Sequence, residues 1–451
     1  MSHFRTCDRA TPYLLPPSVD EWLPEDHLAR FVVEIVDQLD LVQMTRAYRG
    51  TGSAAYHPAM LLSLLVYGYA TGTFSSRRIE KATYESLAFR YIAANSHPDH
   101  DTLCTFRKRF LPEIESLFVQ VLLIAKAMRL IKLGTVALDG TKVHANASRH
   151  SALSYGHAEK LQAQLLGEVK ELLARAESAD SEALPEGLDI PAELARREAR
   201  LQAIAKAKAE IEARAAARLA AEQAEYEAKT KAREDQEKRT GKKPRGKPPK
   251  PPTGGPSAKD QVNLTDADSR IMPAPGGGFE QSYNAQAAVD IDTLLVVGTG
   301  LTQAANDKQQ LVPMLDTLGE LPEELGSVTA LLADAGYCSE ANVTVCVDAA
   351  IEPLLAVGRE SHHLPWQERF GEPSQPLEPG DALARMKHRL KTRAGRALYG
   401  LRKQSVEPVF GIIKSVMGFR QFLLRGLEAV RGEWSLVAMA WNIRRMAVLR
   451  G

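Results

Sequence analysis

Apolar residues recur at helical spacing through the first part of the chain. From Asp26 to Val36 they fall on one side of a helix, and Asp26 is in position to cap its first turn. Pro58 begins a second, strongly apolar helix, which Gly72 ends, and a third helix with exposed basic residues follows. These elements predict a compact helical domain over residues 1–130.

The apolar runs shorten after residue 130. Thr135 to Leu138 leads into Asp139 and then a glycine, which predicts a short buried strand that delivers Asp139 to its edge, where the chain turns. Val328 to Ala333 leads into Asp334, and a glycine again follows closely. Because the two strands end in the same way, we expect both carboxylates to converge on one site.

The rest of the chain alternates between strand and helix patterns, which is typical of a mixed α/β domain whose first strand ends at Asp139. We assign this domain to residues 131–156 and 261–451. Its further predicted elements are a hairpin of strands at 282–290 and 294–300, a helix at 309–318, a strand at 351–358 and an amphipathic helix at 433–448.

A different composition separates the two parts of this domain. Residues 157–237 are dominated by Lys, Glu, Arg and Ala and carry two apolar stripes at roughly heptad spacing, which predict an inserted antiparallel helical hairpin. Residues 238–260 are rich in Lys and Pro, and such a composition cannot bury a core. We interpret this second stretch as a basic, flexible linker.

The net charge of +1 does not by itself indicate a nucleic-acid-binding protein. The distribution of charge is more informative, because basic residues are concentrated in one stretch. Eight Lys or Arg residues and no acid lie between Arg385 and Lys403. The four cysteines are too few and scattered for a disulfide framework, and no Cys-x-x-Cys pair suggests structural zinc. The first residues lack a signal-peptide core, so we expect a cytoplasmic protein with no membrane partner.

A third acid, Glu407, lies next to the basic stretch, and Lys414 follows it by seven residues. A single Asp at a strand end is usually the cap of a turn. Two equivalent strand-end aspartates with a later Glu predict more, because clustered carboxylates need a cation to compensate them. Oxygen ligands of this kind suit two Mg²⁺ or Mn²⁺ ions. On one helix, Glu407 and Lys414 would share a face.

Two basic surfaces are candidates for DNA contact. The basic third helix and the glycine turn before it are compatible with a helix-turn-helix motif, although the spacing alone favours an ordinary helical bundle with a solvated basic face. The stretch before Lys414 either lines a DNA path or is a solvated loop. The candidate DNA-binding residues are Arg77, Arg78, Lys81, Arg389, Lys391, Arg393, Arg402, Lys403 and Lys414.

Several motifs together resemble the DDE transposases of bacterial insertion sequences. The amino-acid sequence is most similar to the insertion-sequence-1182 type. The order Asp139, Asp334, Glu407 and the Glu-x6-Lys spacing to Lys414 are part of this resemblance. The other matching stretches are Leu14–Ser18, Glu21–Pro24, Tyr56–Pro58, Leu138–Lys142, Tyr283–Gln286, Ala333–Tyr337, Val406–Gly411 and Arg425–Gly426. They run nearly from end to end of the chain.

The resemblance implies a ribonuclease-H-like catalytic core in which Asp139, Asp334 and Glu407 bind the two metal ions and Lys414 assists them. It implies hydrolysis at the ends of a mobile element, then attack of the freed 3′-hydroxyl on target DNA. The N-terminal domain would recognise the terminal inverted repeats. The implied partners are double-stranded DNA and, in the DNA complex, a second copy of the chain, at the nucleoid.

One departure concerns the superfamily signature Tyr-x2-Arg-x3-Glu-x6-Lys. Lys403 occupies the Arg position of that spacing and Gly400 the Tyr position, whereas Tyr399 and Arg402 each lie one residue earlier. Two alternatives to a transposase also stay open. One is a ribonuclease-H-like nuclease without strand transfer, and the other is a non-catalytic DNA-binding or scaffold protein.

Overall fold

The computed structural model describes residues 18–48, 55–178, 189–241, 246–274, 276–358, 365, 371–373 and 381–451. The chain divides into two compact units. The first combines Met1–Val143 with Tyr283–Gly451, and the second is His144–Ser282. The first unit therefore contains the predicted N-terminal helices together with most of the predicted α/β domain.

The described helices and strands alternate in a mixed fold. The helices are α1 (Leu28–Val36), α2 (Val42–Arg46), α3 (Pro58–Thr71), α4 (Ser76–Glu85), α5 (Leu87–Ile92), α6 (His100–Arg109), α7 (Leu111–Ala127), α8 (Tyr155–Ser178), α9 (Ile190–Thr240), α10 (Leu311–Gly319), α11 (Glu340–Asp348), α12 (Ala382–Lys391), α13 (Arg393–Gly400), α14 (Arg402–Gly411) and α15 (Leu427–Leu449). The strands are β1 (Leu133–His144), β2 (Ala152–Ser154), β3 (Gln261–Asn263), β4 (Arg270–Pro273), β5 (Phe279–Asp290), β6 (Val296–Thr302), β7 (Gly326–Ala333) and β8 (Glu352–Leu355).

The N-terminal helices follow the predicted apolar pattern. Pro58 begins α3, and Gly72, at φ +83°, ends it in the left-handed conformation that glycine tolerates best. The predicted cap of α1 is wrong by one residue. His27 rather than Asp26 caps that helix, because its Nδ1 accepts a hydrogen bond from the amide of Ala29 at 3.0 Å.

The sheet of the first unit has the order β6-β5-β1-β7-β8. Strands β5 and β6 form the predicted antiparallel hairpin, and β1, β7 and β8 run parallel to one another. The amide of Ile291 at the end of β5 bonds to the carbonyl of Thr135 near the start of β1, and the amide of Ala145 bonds to the carbonyl of Gln281. Strands β1 and β5 are therefore antiparallel.

Strand β1 does not end at Asp139, as the sequence had suggested, but continues to His144. Gly140 does not interrupt it, because β5 remains as a neighbour. The parallel pairing with β7 does end there, and its last register pair is Leu138 with Ala333. Asp139 and Asp334 are each the next residue. The predicted equivalence of the two strand ends is thus present in the pairing, although only one strand stops.

The sequence predicts an amphipathic helix at 433–448, but helix α15 is buried on nearly all sides. It packs against α1, α3 and α7 and also against β6. Its polar residues survive burial because they have partners. The side chain of Asn442 bonds to both backbone groups of Val296, at 2.8 and 2.7 Å. Glu433 accepts a bond from the Tyr69 hydroxyl at 2.6 Å and two from the amides of Leu423 and Leu424.

The second unit contains a helical hairpin. Three cross-helix contacts, Tyr155 with Glu212, Gln162 with Lys208, and Glu168 with Arg197, pair rising positions in α8 with falling positions in α9. The two helices are therefore antiparallel. Helix α9 extends to Thr240, three residues beyond the predicted limit at 237, because Gly241 caps it in the left-handed conformation.

The hairpin enters and leaves through the antiparallel pair β2 and β3, in which Ser154 lies opposite Gln261. Residues 246–258, within the predicted linker, have no regular secondary structure. In the described part of the chain, no helix combines the length and the apolar character needed to cross a membrane.

Candidate active site

The candidate site is at the carboxyl end of the parallel pair β1 and β7. Asp139 and Asp334 leave this pair side by side, directly after its last register position. Asp139 accepts a hydrogen bond from the Gly140 amide at 2.8 Å, and Asp334 accepts one from the Gly336 amide at 2.8 Å. A glycine amide therefore orients each carboxylate, from within β1 for Asp139 and from the following turn for Asp334.

Arg402 joins the first aspartate to the predicted third acid. Its Nη2 lies 2.8 Å from Oδ2 of Asp139, and its Nη1 lies 3.0 Å from Oε1 of Glu407. The Arg402 side chain is 8% exposed and Asp139 is 17% exposed, whereas Glu407 is half exposed. One buried guanidinium thus compensates two carboxylates that are far apart in sequence.

The pKa of Asp139 is raised to about 6. Burial is the main cause, because it disfavours the charged form, and the neighbouring Asp334 and Asp307 add repulsion. Arg402 and the Gly140 amide act in the opposite direction and lower this pKa. Such a carboxyl group is expected to respond strongly to any further cation brought near it.

Lys414 contacts the segment of β1 that follows Asp139. Its Nζ donates to Oγ1 of Thr141 at 2.6 Å and to the carbonyl of Lys142 at 2.7 Å. Burial, and then the neighbouring charge of Lys142, lower the pKa of Lys414. Glu407 and Lys414 would share a face only if one regular helix carried both, and the helix is not regular between them. Helix α14 ends at Gly411, and Lys414 lies on a π-helical turn, after a proline within α14 removes a backbone donor.

Four residues that the sequence analysis did not assign also lie here. Asp307 accepts hydrogen bonds from the side-chain amides of Asn284 and Gln286, and Gln286 accepts one from the Tyr337 hydroxyl. Asn284, Gln286 and Tyr337 stand within stretches that carried the family resemblance, but their chemistry was not evident from spacing. For Asp307, the only signal was an acid soon after a predicted strand.

Two family models match the chain. Residues 17–109 match the model described as "Transposase domain (DUF772)", and residues 260–443 match the "Transposase DDE domain". The two matches indicate a transposase of the DDE type. Comparisons with curated proteins and with solved structures give no match. Asp334, Glu407 and Lys414 lie inside the DDE-domain match, whereas Asp139 lies outside both.

Arg402 and Lys403, the two candidates for the Arg position of the transposase signature, lie in different environments. Arg402, one residue earlier than the signature spacing, is the cation that contacts Asp139 and Glu407, whereas Lys403 is exposed. Tyr399 lies close enough to Arg402 and the carboxylates for their charges to change its pKa. Burial raises its pKa, and Arg402 lowers it while Asp334, Asp139 and Glu407 raise it further.

The other predicted DNA-binding residues lie mostly on the surface. Arg77, Arg78 and Lys81 are exposed on α4, and Lys81 pairs with Glu85 at 3.4 Å. Arg389, Lys391, Arg393 and Lys403 are exposed as well. Arg389 forms an ion pair with Glu352, so part of the positive charge of this stretch is compensated. Arg402 is instead buried and contacts the carboxylates of Asp139 and Glu407. The role of all these cations in DNA binding stays a prediction.

No group of three acidic, His or Cys side chains within the described ranges is arranged to hold a metal ion. The donor chemistry nevertheless fits the predicted ions. The candidate ligands are carboxylate oxygens, which Mg²⁺ and Mn²⁺ prefer. The guanidinium between Asp139 and Glu407 shows that a cation is already favourable at this position.

Proposed function

We propose that this protein is a DNA transposase of the insertion-sequence-1182 type. It binds the terminal inverted repeats of its element, cleaves at the element ends by metal-dependent hydrolysis and joins the 3′-hydroxyl ends to target DNA. One observation carries the proposal. A single buried arginine reaches both Asp139 and Glu407, and Asp334 leaves the sheet beside Asp139.

The fold supports this reading. Three strands in an antiparallel arrangement, followed by two that run parallel to the first, give the sheet order β6-β5-β1-β7-β8. We interpret this as the order of a ribonuclease-H-like core. Asp334 directly follows β7, and Asp139 lies in β1 at the point where its pairing with β7 ends. The N-terminal helices, which fall in the first family match, are the proposed domain for recognition of the terminal repeats.

We assign the metal ligands to Asp139, Asp334 and Glu407. Two Mg²⁺ or Mn²⁺ ions bound there would supply charge stabilisation for an in-line displacement at phosphorus. Arg402 holds two of the three carboxylates near one another before the ions bind. Lys414 fixes the strand segment that follows Asp139, and its ammonium is placed to contact a DNA phosphate by exchanging one of its present hydrogen bonds.

The proposed partners are double-stranded DNA and a second copy of the chain. The exposed cations of α4, of α12 and of the start of α13 are the candidate phosphate contacts, because flexible surface cations bind the DNA backbone without reading sequence. Two copies would hold the two ends of one element.

The test uses labelled duplexes that carry the repeats flanking the gene. We expect Mg²⁺-dependent nicking at the repeat end, followed by covalent joining of the labelled 3′ end to a target plasmid. Nicking without any joined product would favour the nuclease alternative. Binding of the repeats with neither reaction would favour the non-catalytic alternative.

A further inference from the structure

A fourth carboxylate lies beside the two aspartates of the candidate site. Asp307 is in the segment between β6 and α10. Its Oδ1 accepts hydrogen bonds from Nδ2 of Asn284 at 2.6 Å and from Nε2 of Gln286 at 2.8 Å. Both amides are on β5, and both residues are at most 1% exposed. Two buried donors on one oxygen fix the orientation of this carboxylate.

This network touches the chain directly after Asp139. A Cβ atom added to Gly140 would lie 2.5 Å from Oδ1 of Asp307 and closer still to Nε2 of Gln286. Real Cβ atoms do not approach polar atoms so closely. The backbone at Gly140 therefore rests against the hydrogen bond between Asp307 and Gln286. A shift of Asp307 and Gln286 would therefore displace the Gly140 amide, which orients the Asp139 carboxylate.

The same network reaches the turn after Asp334. Oε1 of Gln286 accepts a hydrogen bond from the Tyr337 hydroxyl, and Tyr337 is fully buried. A second connection runs through Asn342, whose Nδ2 donates to the carbonyl of Lys308 at 2.9 Å and to that of Tyr337 at 2.7 Å. Lys308 is the neighbour of Asp307. Two independent connections thus join the Asp307 segment to the turn that follows Asp334.

Resting on the proposed function, we propose that Asp307 is a positioning residue that holds the β1 segment after Asp139 and the turn after Asp334 at a fixed separation. The two aspartates carry like charge and repel each other, and a rigid link between these segments keeps both carboxylates in place for a shared cation. Asp307 carries the link through the Asn284 and Gln286 amides. Its other oxygen lies 3.8 Å from Nζ of Lys142, which offsets part of its own charge.

A positioning role and a direct ligand role differ in what an amide at 307 would do. In Asp307→Asn, the remaining oxygen still accepts from both amides of β5, so the link survives. In Asp307→Ala, the link is lost. A metal ligand, by contrast, would be lost in both variants, since a neutral amide is a poor replacement for a carboxylate.

The experiment uses the full-length chain without DNA and two measurements. Mn²⁺ titration followed by electron paramagnetic resonance gives the metal affinity. Hydrogen exchange read by mass spectrometry gives the protection of peptides that cover residues 136–142 and 334–338. The matched control is Asp316→Ala, which removes an exposed aspartate from the next helix, α10.

We expect Asp307→Ala to weaken Mn²⁺ binding by about 10-fold, as is usual when a residue behind a metal ligand is removed. Exchange in both peptides should rise, while Asp307→Asn and the control stay close to wild type. Unchanged exchange in Asp307→Ala overturns the proposal, and so does an Asp307→Asn variant as weak as the alanine variant. If wild type binds no Mn²⁺, the proposed function fails. The exchange data alone then decide whether Asp307 links the β1 segment after Asp139 to the turn after Asp334.

Discussion

The acidic site of the first unit and the helical hairpin of the second use opposite kinds of ion pair. At the site, Arg402 is buried and pairs with Asp139, 263 positions earlier in the chain. Along the hairpin, exposed arginines and lysines pair one turn away, as Arg196 does with Glu193 and Lys229 with Glu225. The first kind requires the folded sheet, and the second requires only a helix.

This difference indicates in which parts of the chain the side chains must be precisely positioned. Buried pairs are costly unless every group is satisfied, so they persist where the surrounding structure is fixed. Exposed pairs contribute little and tolerate change. We therefore expect the chemistry of the protein to be sensitive to single atoms in the first unit and insensitive to charge changes on the hairpin.

The largest effect is expected from Asp139→Asn or Asp334→Asn. Either change should slow DNA cleavage by roughly 10³-fold or more, or about 4 kcal/mol of activation free energy, because a neutral amide cannot stabilise the metal charge. DNA binding should persist. Glu193→Gln on the hairpin is the matched control and should cleave normally. Comparable rates for all three variants would remove the distinction between the regions.

The second comparison concerns stability. Arg402→Gln leaves the buried Asp139 carboxylate without its cation and should lower the free energy of unfolding by about 3 kcal/mol. The sequence of the second unit contains no tryptophan, so urea unfolding followed by tryptophan fluorescence reports on the first unit. Lys229→Gln, which changes an exposed hairpin lysine, should leave the helical circular dichroism transition unchanged. An Arg402 variant as stable as wild type would contradict the assigned role of that pair.

The third comparison is a pH titration. Because the pKa of Asp139 is raised to about 6, Mn²⁺ must compete with a proton below that pH. The apparent affinity should then fall about tenfold per pH unit, and it should be steady above pH 6. On the hairpin, Arg197 and Lys229 hold the pKa values of Glu193 and Glu225 below their ordinary range.

The hairpin carboxylates should therefore behave differently. A lowered pKa gives stability that is present above the unfolded value and lost as the pH drops through the folded one. The helical signal should persist well below pH 6, after Mn²⁺ binding has weakened. Loss of both signals in one transition near pH 6 would show that the two regions titrate together.

The smallest effect on the site is expected from removal of the hairpin. Ser154 and Gln261 are partners in β2 and β3, so the chain enters and leaves the hairpin at adjacent points. Replacing residues 160–255 with a short Gly/Ser linker should preserve the tryptophan unfolding transition and Mn²⁺ binding. We expect assembly on paired element ends to suffer instead. A shortened chain that fails to fold would show that the hairpin belongs to the core.

Sequence patterns were most informative where the physics is local. The run from Val328 to Ala333 predicted β7 with its following aspartate, and the hairpin of β5 and β6 was found where the alternation placed it. The buried environment of Arg402 could not be predicted, because its partner Asp139 is distant in sequence. Helix α15 was misread for the same reason, since β6 and three helices cover faces that composition alone left polar.

The site was predictable in its acids but not in what holds them. Asp139 and Asp334 follow apolar strands, which is a visible signal. Asp307 follows two alanines and an asparagine in an irregular segment, and only the fold brings it to Asn284 and Gln286. Supporting residues of this kind carry no spacing of their own, because their contacts cross three strands of the sheet.

The burial of Tyr69 against Glu433 has a consequence for synthesis of the chain. Helix α3 is translated well before the helix that carries Glu433, which lies 364 residues after Tyr69. The intervening chain takes roughly 20–70 s to translate at usual rates. Throughout that time the apolar surface of α3 lacks its α15 neighbour, so this part of the core is completed only after α15 has been made.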